Sequence, residues 1–159
     1  MHKQIDSKKL RKVAGAFATG ITVVTVEKTD GTVQGMTANS FLSVSLSPPL
    51  VTFTIRENGS MLPYLKVGKE VGISILSDQQ QAVSNQFAGW NNPPIKVSMT
   101  QPTEGIHIIK DCLAWYSTTI QSILSLGDHL LIVCKVVDLD RAEDRGPLLY
   151  YSGYQTIAP

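Results

Sequence analysis

The chain changes hydrophobic period once, early, and then keeps the new one. Leu10, Val13, Ala14 and Phe17 recur at i, i+3, i+4 and i+7, which predicts a helix over Ser7 to Ala18, capped by Asp6 or Ser7 and stopped by Gly20. From Ile21 to Val26 the residues are mostly β-branched, as a pleated strand prefers. Asp30-Gly31 is a turn signal, so a second strand should return from about Val33. Phe41 to Leu46 alternates polar and apolar positions and is broken by Ser47-Pro48-Pro49, since proline cannot donate to a ladder. Leu50 to Ile55 and Val71 to Leu76 read as further strands. Between them a short helix is expected over Met61 to Val67, with Gly68 as its stop. Asp78 to Phe87 reads as a polar helix capped by Ser77 or Asp78. Gly89 to Pro102 carries Pro93, Pro94 and Pro102 and is the longest expected loop, of the kind that often forms a lid or binding segment. Two long strands follow, Leu113 to Ile123 and His129 to Leu139, joined through Leu126-Gly127-Asp128. Leu148 to Tyr154 ends the pattern as a short strand.

Many short strands, tight turns and few helices predict a mainly β barrel or sandwich with peripheral helices, as one domain over residues 1–159. The alternating strand–helix order of a doubly wound fold is missing, as are GxGxxG and GxxxxGK[ST], so a nucleotide would have to be held another way. The net charge of +1 comes from 14 basic against 13 acidic residues. The densest basic cluster, Lys3, Lys8, Lys9, Arg11 and Lys12, reads as a solvated helix face, and no nucleic-acid partner is expected. Apolar runs such as Leu130 to Cys134 are too short to cross a bilayer. The first residues lack the apolar core of a secretory signal, so the expected location is the cytoplasm. Cys112 and Cys134 form no CxxC pair and are expected as reduced, buried thiols.

Candidate chemistry is sparse. There is no GxSxG elbow, no HExxH, no Cys/His metal set, and His2, His107 and His129 are scattered. Three polar segments remain. Gly35-Met36-Thr37-Ala38-Asn39-Ser40 offers hydroxyls, an amide and backbone N–H groups between two expected strands. It suits a flat hydrogen-bonding heterocycle or serves only as a polar connection. Arg56-Glu57-Asn58-Gly59-Ser60 has the cation, hydroxyl and exposed amides that suit a phosphate, or is simply a helix start. Gly127-Asp128-His129 is a turn between long strands, and its histidine is either solvated or functional.

Taken in order, these pieces resemble the flavin reductase-like family and its FMN-binding split barrel. The resemblance is carried by Phe17-Ala18-Thr19-Gly20-Ile21-Thr22-Val23-Val24-Thr25, Gly35 to Phe41, Ser43 to Val51, Phe87-Ala88-Gly89, Leu113-Ala114-Trp115, Gly127-Asp128-His129 and Pro147 to Tyr151. It implies a six-stranded antiparallel Greek-key split β-barrel, usually a homodimer, that takes a hydride from NADH or NADPH to FMN or FAD. Many such proteins supply the reduced flavin to a partner monooxygenase. It further implies that Met36, Thr37, Ala38, Asn39 and Ser40 lie along the isoalloxazine and ribityl chain. Ile55 borders the flavin, Arg56 and Ser60 hold its phosphate, and Phe87, Ala88 and Gly89 edge the same pocket. Gly127, Asp128, His129 and Tyr154 fall to the nicotinamide, with His129 the one catalytic candidate, and no metal is implied. The chain departs from the family pattern at Ser47, where many relatives carry Asp, and at Trp90-Asn91-Asn92-Pro93-Pro94-Ile95, where a charged, Gly-containing stretch is usual. The second departure leaves open an alternative of another kind, a tightly flavin-bound electron carrier that does not oxidise NAD(P)H. A barrel that has lost flavin and acts only as a dimeric binding module is a third reading.

Overall fold

The computed structural model describes residues 4–157, so Lys3 of the basic cluster and His2 lie outside the described residues. Helix α1 (Ser7–Ala14) begins at Asp6, whose carboxylate accepts from the Lys8 N–H at 2.9 Å. It ends four residues earlier than its apolar spacing predicts. Gly15, not Gly20, is the C-cap, and Gly15 to Phe17 close as tight turns onto Arg11, Val13 and Ala14. Thr19–Gly20 instead forms the short strand β1.

Strands β2 (Thr22–Glu27) and β3 (Val33–Ala38) make the expected hairpin. Strands β4 (Leu42–Leu46) and β5 (Pro49–Arg56) follow, with Pro49 as the first residue of its strand, where its missing donor costs nothing inside the ladder. A single 3₁₀ turn at Leu62–Tyr64 replaces the expected short helix, and β6 (Glu70–Ile75) comes next. Helix α2 (Gln81–Phe87) starts later than its sequence suggests. Ser77 is drawn into a bridge with Pro147 and into a hydrogen bond to the Asp111 carbonyl, so it cannot cap. Gln80 folds back instead, accepting from the Ser77 N–H at 3.1 Å and donating to the Lys110 carbonyl at 2.8 Å.

The long loop is shorter than expected because Met99–Thr103 (β7) pairs with Ile106–Ile109 (β8) around Gly105, a hairpin that the sequence pattern did not reveal. The two long strands are β9 (Ala114–Leu126) and β10 (His129–Arg141). The last expected strand is two, β11 (Leu148–Tyr150) and β12 (Tyr154–Thr156), separated by a turn with Ser152 and Gly153 at positive φ.

The fold is mainly β and antiparallel, but the six-stranded count requires correction. The main sheet has seven strands in the order β3-β2-β6-β9-β10-β5-β4, with β3 and β4 as unjoined edges. The physical reason lies in β4. The tight Ser47-Pro48 connection folds β4 back onto the outside of β5, where it becomes an edge and does not meet β3. The sheet nevertheless curls, because Val24 of β2, Ile73 of β6, Ile120 of β9, Ile132 of β10 and Phe53 of β5 converge in one buried cluster.

Strand β2 has a second buried face. Ile21 and Val23 join Leu76, Ile106, Ile108, Ile109, Cys112 and Leu148 in a cluster roofed by the β7–β8 hairpin. Apolar burial on both faces explains why this segment shows a continuous β-branched run without alternation. The hairpin is fastened by Thr25 Oγ1, which donates to the His107 carbonyl, and by His107 Nε2, 2.7 Å from Glu27 Oε2. Gly72 lies directly beneath it, and a Cβ there would sit 2.1 Å from the His107 carbonyl oxygen.

Other apolar groups find no cover within the chain. Leu10, Val13 and Phe17 of the first segment, Leu42, Val44 and Leu46 of β4, and Leu124 and Leu126 at the β9 tip are all exposed. Among the described residues no helix is long and apolar enough to cross a membrane.

Two outcomes follow from this packing. Gly72→Ala forces backbone against backbone and should cost about 3 kcal/mol, read as a lower urea midpoint at unchanged m-value. Burial pushes the Cys112 and Cys134 thiols up from 9.0 to about 11. Both should resist iodoacetamide at pH 8 in the native protein and react once it is unfolded. Because the folded pKa is the raised one, the associated stability is complete below pH 9.0 and should fall as pH rises towards about 11.

Candidate functional site

An edge strand keeps half of its backbone N–H and C=O groups unpaired, and a sheet normally covers or blunts them. Here β3 is such an edge, and β5 supplies a second one. Its pairing with β4 reaches only as far as Leu42↔Thr52, so Thr54 to Arg56 run on without that neighbour. Between these segments opens a cavity of about 420 Å³, lined by Gly35 to Ser40, Thr54 to Arg56, Gly59 to Met61, Phe87 and His129. The polar segment Met36 to Ser40 is therefore mostly strand and not a loop, since Met36, Thr37 and Ala38 belong to β3. Ser40 spans the gap at one end, accepting from the Thr54 N–H at 3.0 Å.

The opposite end is polar. Ser60 Oγ lies 3.4 Å from Gln34 Nε2, and Arg56 of β5 stands directly opposite His129 of β10 in register. Gly59 N–H donates to the Arg56 carbonyl at 2.9 Å, and Glu57 N–H donates to the Asp128 carbonyl at 3.1 Å, so the Arg56–Ser60 turn is tied to the β9–β10 turn. The apolar side is set by Phe87 at the end of α2. Its ring presses on Gly35 so closely that a Cβ at that position would lie 2.4 Å from Cε1.

A second cavity, about 370 Å³, shares Thr37, Ala38, Asn39 and Arg56 with the first and adds Ile21, Ser84, Ala88, Trp90, Tyr150 and Tyr154. Its far wall is rigid. Tyr154 OH donates to Asn85 Oδ1 at 2.8 Å and lies 2.9 Å from Ser84 Oγ, while Thr37 Oγ1 donates to the Ser84 carbonyl at 2.6 Å.

Of the residues expected at the flavin, Met36 to Ser40, Ile55, Arg56, Ser60 and Phe87 come together in the first cavity, and Ala88 lines the second. Gly89 lines neither and, at φ +75°, turns the chain out of α2. The nicotinamide set is split. Tyr154 borders the second cavity, His129 borders the first, and Gly127 and Asp128 border neither. The reason is that Gly127-Asp128 is the tip of a hairpin, which leaves Asp128 exposed. Asp128 still acts on the site at one remove, because His129 Nδ1 lies 2.7 Å from its carboxylate. That hydrogen bond is the main cause holding the Asp128 carboxyl below its ordinary value. It also leaves Nε2 as the free ring nitrogen.

Sequence reasoning missed Thr54, Met61 and Ser84 as site residues, and it quoted Tyr150 only within the Pro147 to Tyr151 motif; they reach the cavities from β5, the 3₁₀ turn, α2 and β11. Gly35 and Gly59 fall inside the two polar segments singled out from the sequence, and each has a close neighbour there. A Cβ at Gly59 would lie 2.7 Å from Ile55 Cγ1. Among the described residues no three His, Cys, Asp or Glu side chains gather as a metal group.

A curled antiparallel sheet that leaves a polar seam at its open edge, with an adjoining aromatic hollow, defines a mainly β protein with two contiguous cavities. The comparisons with known proteins name the class more closely: the pattern of the flavin reductase like domain matches residues 14–158, and the chain belongs to that family. It is 38% identical over 146 residues to an NADH-dependent flavin reductase of a Rhodococcus species, covering 91% of this chain and 82% of that one. It is 33% identical to a flavin reductase of Pseudomonas putida, with 97% and 92% covered. Some relatives are longer. The chain spans about half, 49%, of a probable flavin reductase of Rhizobium meliloti (strain 1021) to which it is 35% identical, with 95% of this chain covered. Among solved structures, the flavin reductase PheA2 in its native state superposes with a TM-score of 0.91 at 40% identity, covering 98% of this chain and all of that one. A Streptomyces globisporus NADH:FAD oxidoreductase in complex with NAD and FAD fragments superposes with a TM-score of 0.87 at 32% identity, with 99% and 98% covered.

Gly35→Ala drives the Phe87 ring into the first cavity. The expected result is a tenfold or so loss of FMN affinity, about 1.4 kcal/mol, with a much smaller change in thermal midpoint, measured by fluorescence titration and calorimetry.

Proposed function

We propose that the chain oxidises NADH or NADPH and passes the hydride to FMN or FAD, supplying reduced flavin to a partner monooxygenase. The observation that carries this reading is the pair of cavities with a common wall at Thr37, Ala38, Asn39 and Arg56. Hydride transfer requires donor and acceptor in contact at roughly 3–3.5 Å, and two ligand seats sharing one wall bring them together.

The first cavity fits a flavin. The free edge of β3 offers backbone N–H and C=O groups to a ring with alternating donors and acceptors, and Phe87, Ile55 and Met61 give it apolar surface. Arg56 and Ser60 stand ready for the phosphate, as a charge-assisted pair suits. Flavin, when bound, supplies the hydride acceptor, so the protein's work is orientation and exclusion of water. Amides at the β3 edge favour negative charge on the reduced ring as an oxyanion hole does. His129, its Nδ1 engaged by Asp128, offers Nε2 to the same cavity and acts as a positioning group there. Tyr154, held by Ser84 and Asn85, fixes the wall of the donor's hollow.

The chain is proposed to work in the cytoplasm as a homodimer, which supplies the missing partner for the exposed Leu10, Val13, Phe17 and the β4 face. The curled sheet with its open seam corresponds on this reading to the family's split barrel.

Anaerobic stopped-flow mixing of the FMN-loaded protein with NADH tests the proposal. Saturable bleaching of the flavin band is expected. Flavin that binds but stays oxidised with both NADH and NADPH would make the protein an electron carrier instead. In the same experiment His129→Ala should slow reduction about tenfold or more while FMN affinity changes less than threefold, as for a group that acts beyond ground-state binding.

A further inference from the structure

The segment after α2 is fastened more firmly than a surface loop requires. Trp90 N–H donates to the Asn85 carbonyl at 2.9 Å, Asn91 Nδ2 donates to the Ala82 carbonyl at 2.9 Å, and Ile95 N–H donates to Gln86 Oε1 at 2.8 Å. Yet the indole this scaffold carries is 64% exposed. A large aromatic left in solvent forgoes the burial that would otherwise justify it. Neither buried cluster of the chain includes Trp90 among the side chains packed against it, so the core does not explain the residue.

What Trp90 does reach is the second cavity. It lines the hollow with Tyr150 and Tyr154 and is absent from the lining of the first cavity. The two tyrosines are themselves ordered, packing edge to face with ring centroids 5.7 Å apart. A hollow with a polar strand edge on one side and fixed aromatics on the other suits a flat conjugated base. Arg56, on the shared wall, supplies a cation for a charged ligand.

We propose that Trp90 is the stacking platform for a base of the dinucleotide donor, setting affinity for NADH without touching flavin affinity. The inference rests on the reading of the second cavity as the donor's seat. On this reading Trp90 is a specificity residue for the donor, since it lines the second cavity and not the first. The backbone that carries the indole is held beside this cavity by hydrogen bonds, so little main-chain freedom is lost when a base settles on it.

The test compares wild type, Trp90→Ala and Trp90→Phe, each loaded with FMN. Trp90→Ala should raise the KM for NADH about tenfold while kcat stays within about twofold and FMN affinity is unchanged. Trp90→Phe, which keeps an aromatic face, should restore most of the lost affinity. Because Trp90 is exposed, its removal opens no core cavity, and a circular dichroism melt checks the fold. A second readout avoids turnover. NAD⁺ should quench the indole emission of the wild type saturably, and this quenching should be lost in Trp90→Phe, which keeps Trp115. A wild-type KM in Trp90→Ala, or weakened FMN binding in that variant, would overturn the proposal while leaving the reductase reading intact. A wild type that neither oxidises NADH nor responds to NAD⁺ would overturn both together.

Discussion

The seven-stranded sheet curls far enough to enclose one apolar cluster but does not hydrogen-bond its two edges together, and a cavity of about 420 Å³ opens in the gap. Buried or half-buried backbone groups demand partners. Along most of the sheet those partners are neighbouring strands. Between β3 and the end of β5 they are not, apart from the single tie of Ser40 to the Thr54 N–H at 3.0 Å. A strand edge without a partner strand, facing a cavity, suits a ligand whose rim carries complementary groups. The β4 hairpin is what keeps the gap open, because it occupies the outer edge of β5 only as far as Thr52.

The gap holds its shape because the strand beside it is unusually rigid. Strand β2 is buried on both faces, with one cluster inside the curl and another beneath the β7–β8 hairpin. The close approach of that hairpin at Gly72, and its fastening through Thr25, His107 and Glu27, leave β2 little freedom. Strand β3 inherits this rigidity through its pairing with β2. Helix α2 is locked to the same strand by the Thr37 hydroxyl and by the contact of Phe87 with Gly35. A site whose walls are strands and a pinned helix keeps ligand-binding groups within the narrow tolerances that function needs.

This construction suits a reaction in which the reacting electrons belong to the ligands. The sequence carries no GxSxG or HExxH motif, and the fold sets His107 beside Glu27 and His129 beside Asp128. What it provides is two adjoining seats, one polar with a cation and hydroxyl at its end, the other aromatic. The apolar residues of α1, β4 and the β9 tip are left uncovered within the chain.

The local pattern was sufficient to determine most elements: α1 with its Asp6 cap, the β2–β3 hairpin, the long β9–β10 pair and the mainly β class all follow from periodicity and turn chemistry. The motif residues Met36 to Ser40, Arg56, Ser60 and Phe87 were also legible, because their types and order are carried along the chain. Tertiary structure decided the rest. Met36 to Ala38 became edge strand and not loop because their register with β2 runs on to Thr22. The β7–β8 hairpin needed the far face of β2 to cover, and Ser77 lost its capping role to a partner at Pro147. The separation of Tyr154 from His129 into neighbouring cavities arises from the same cause. Periodicity encodes which side of an element is apolar, but which elements meet, and which edges stay open, is settled only when distant strands pair.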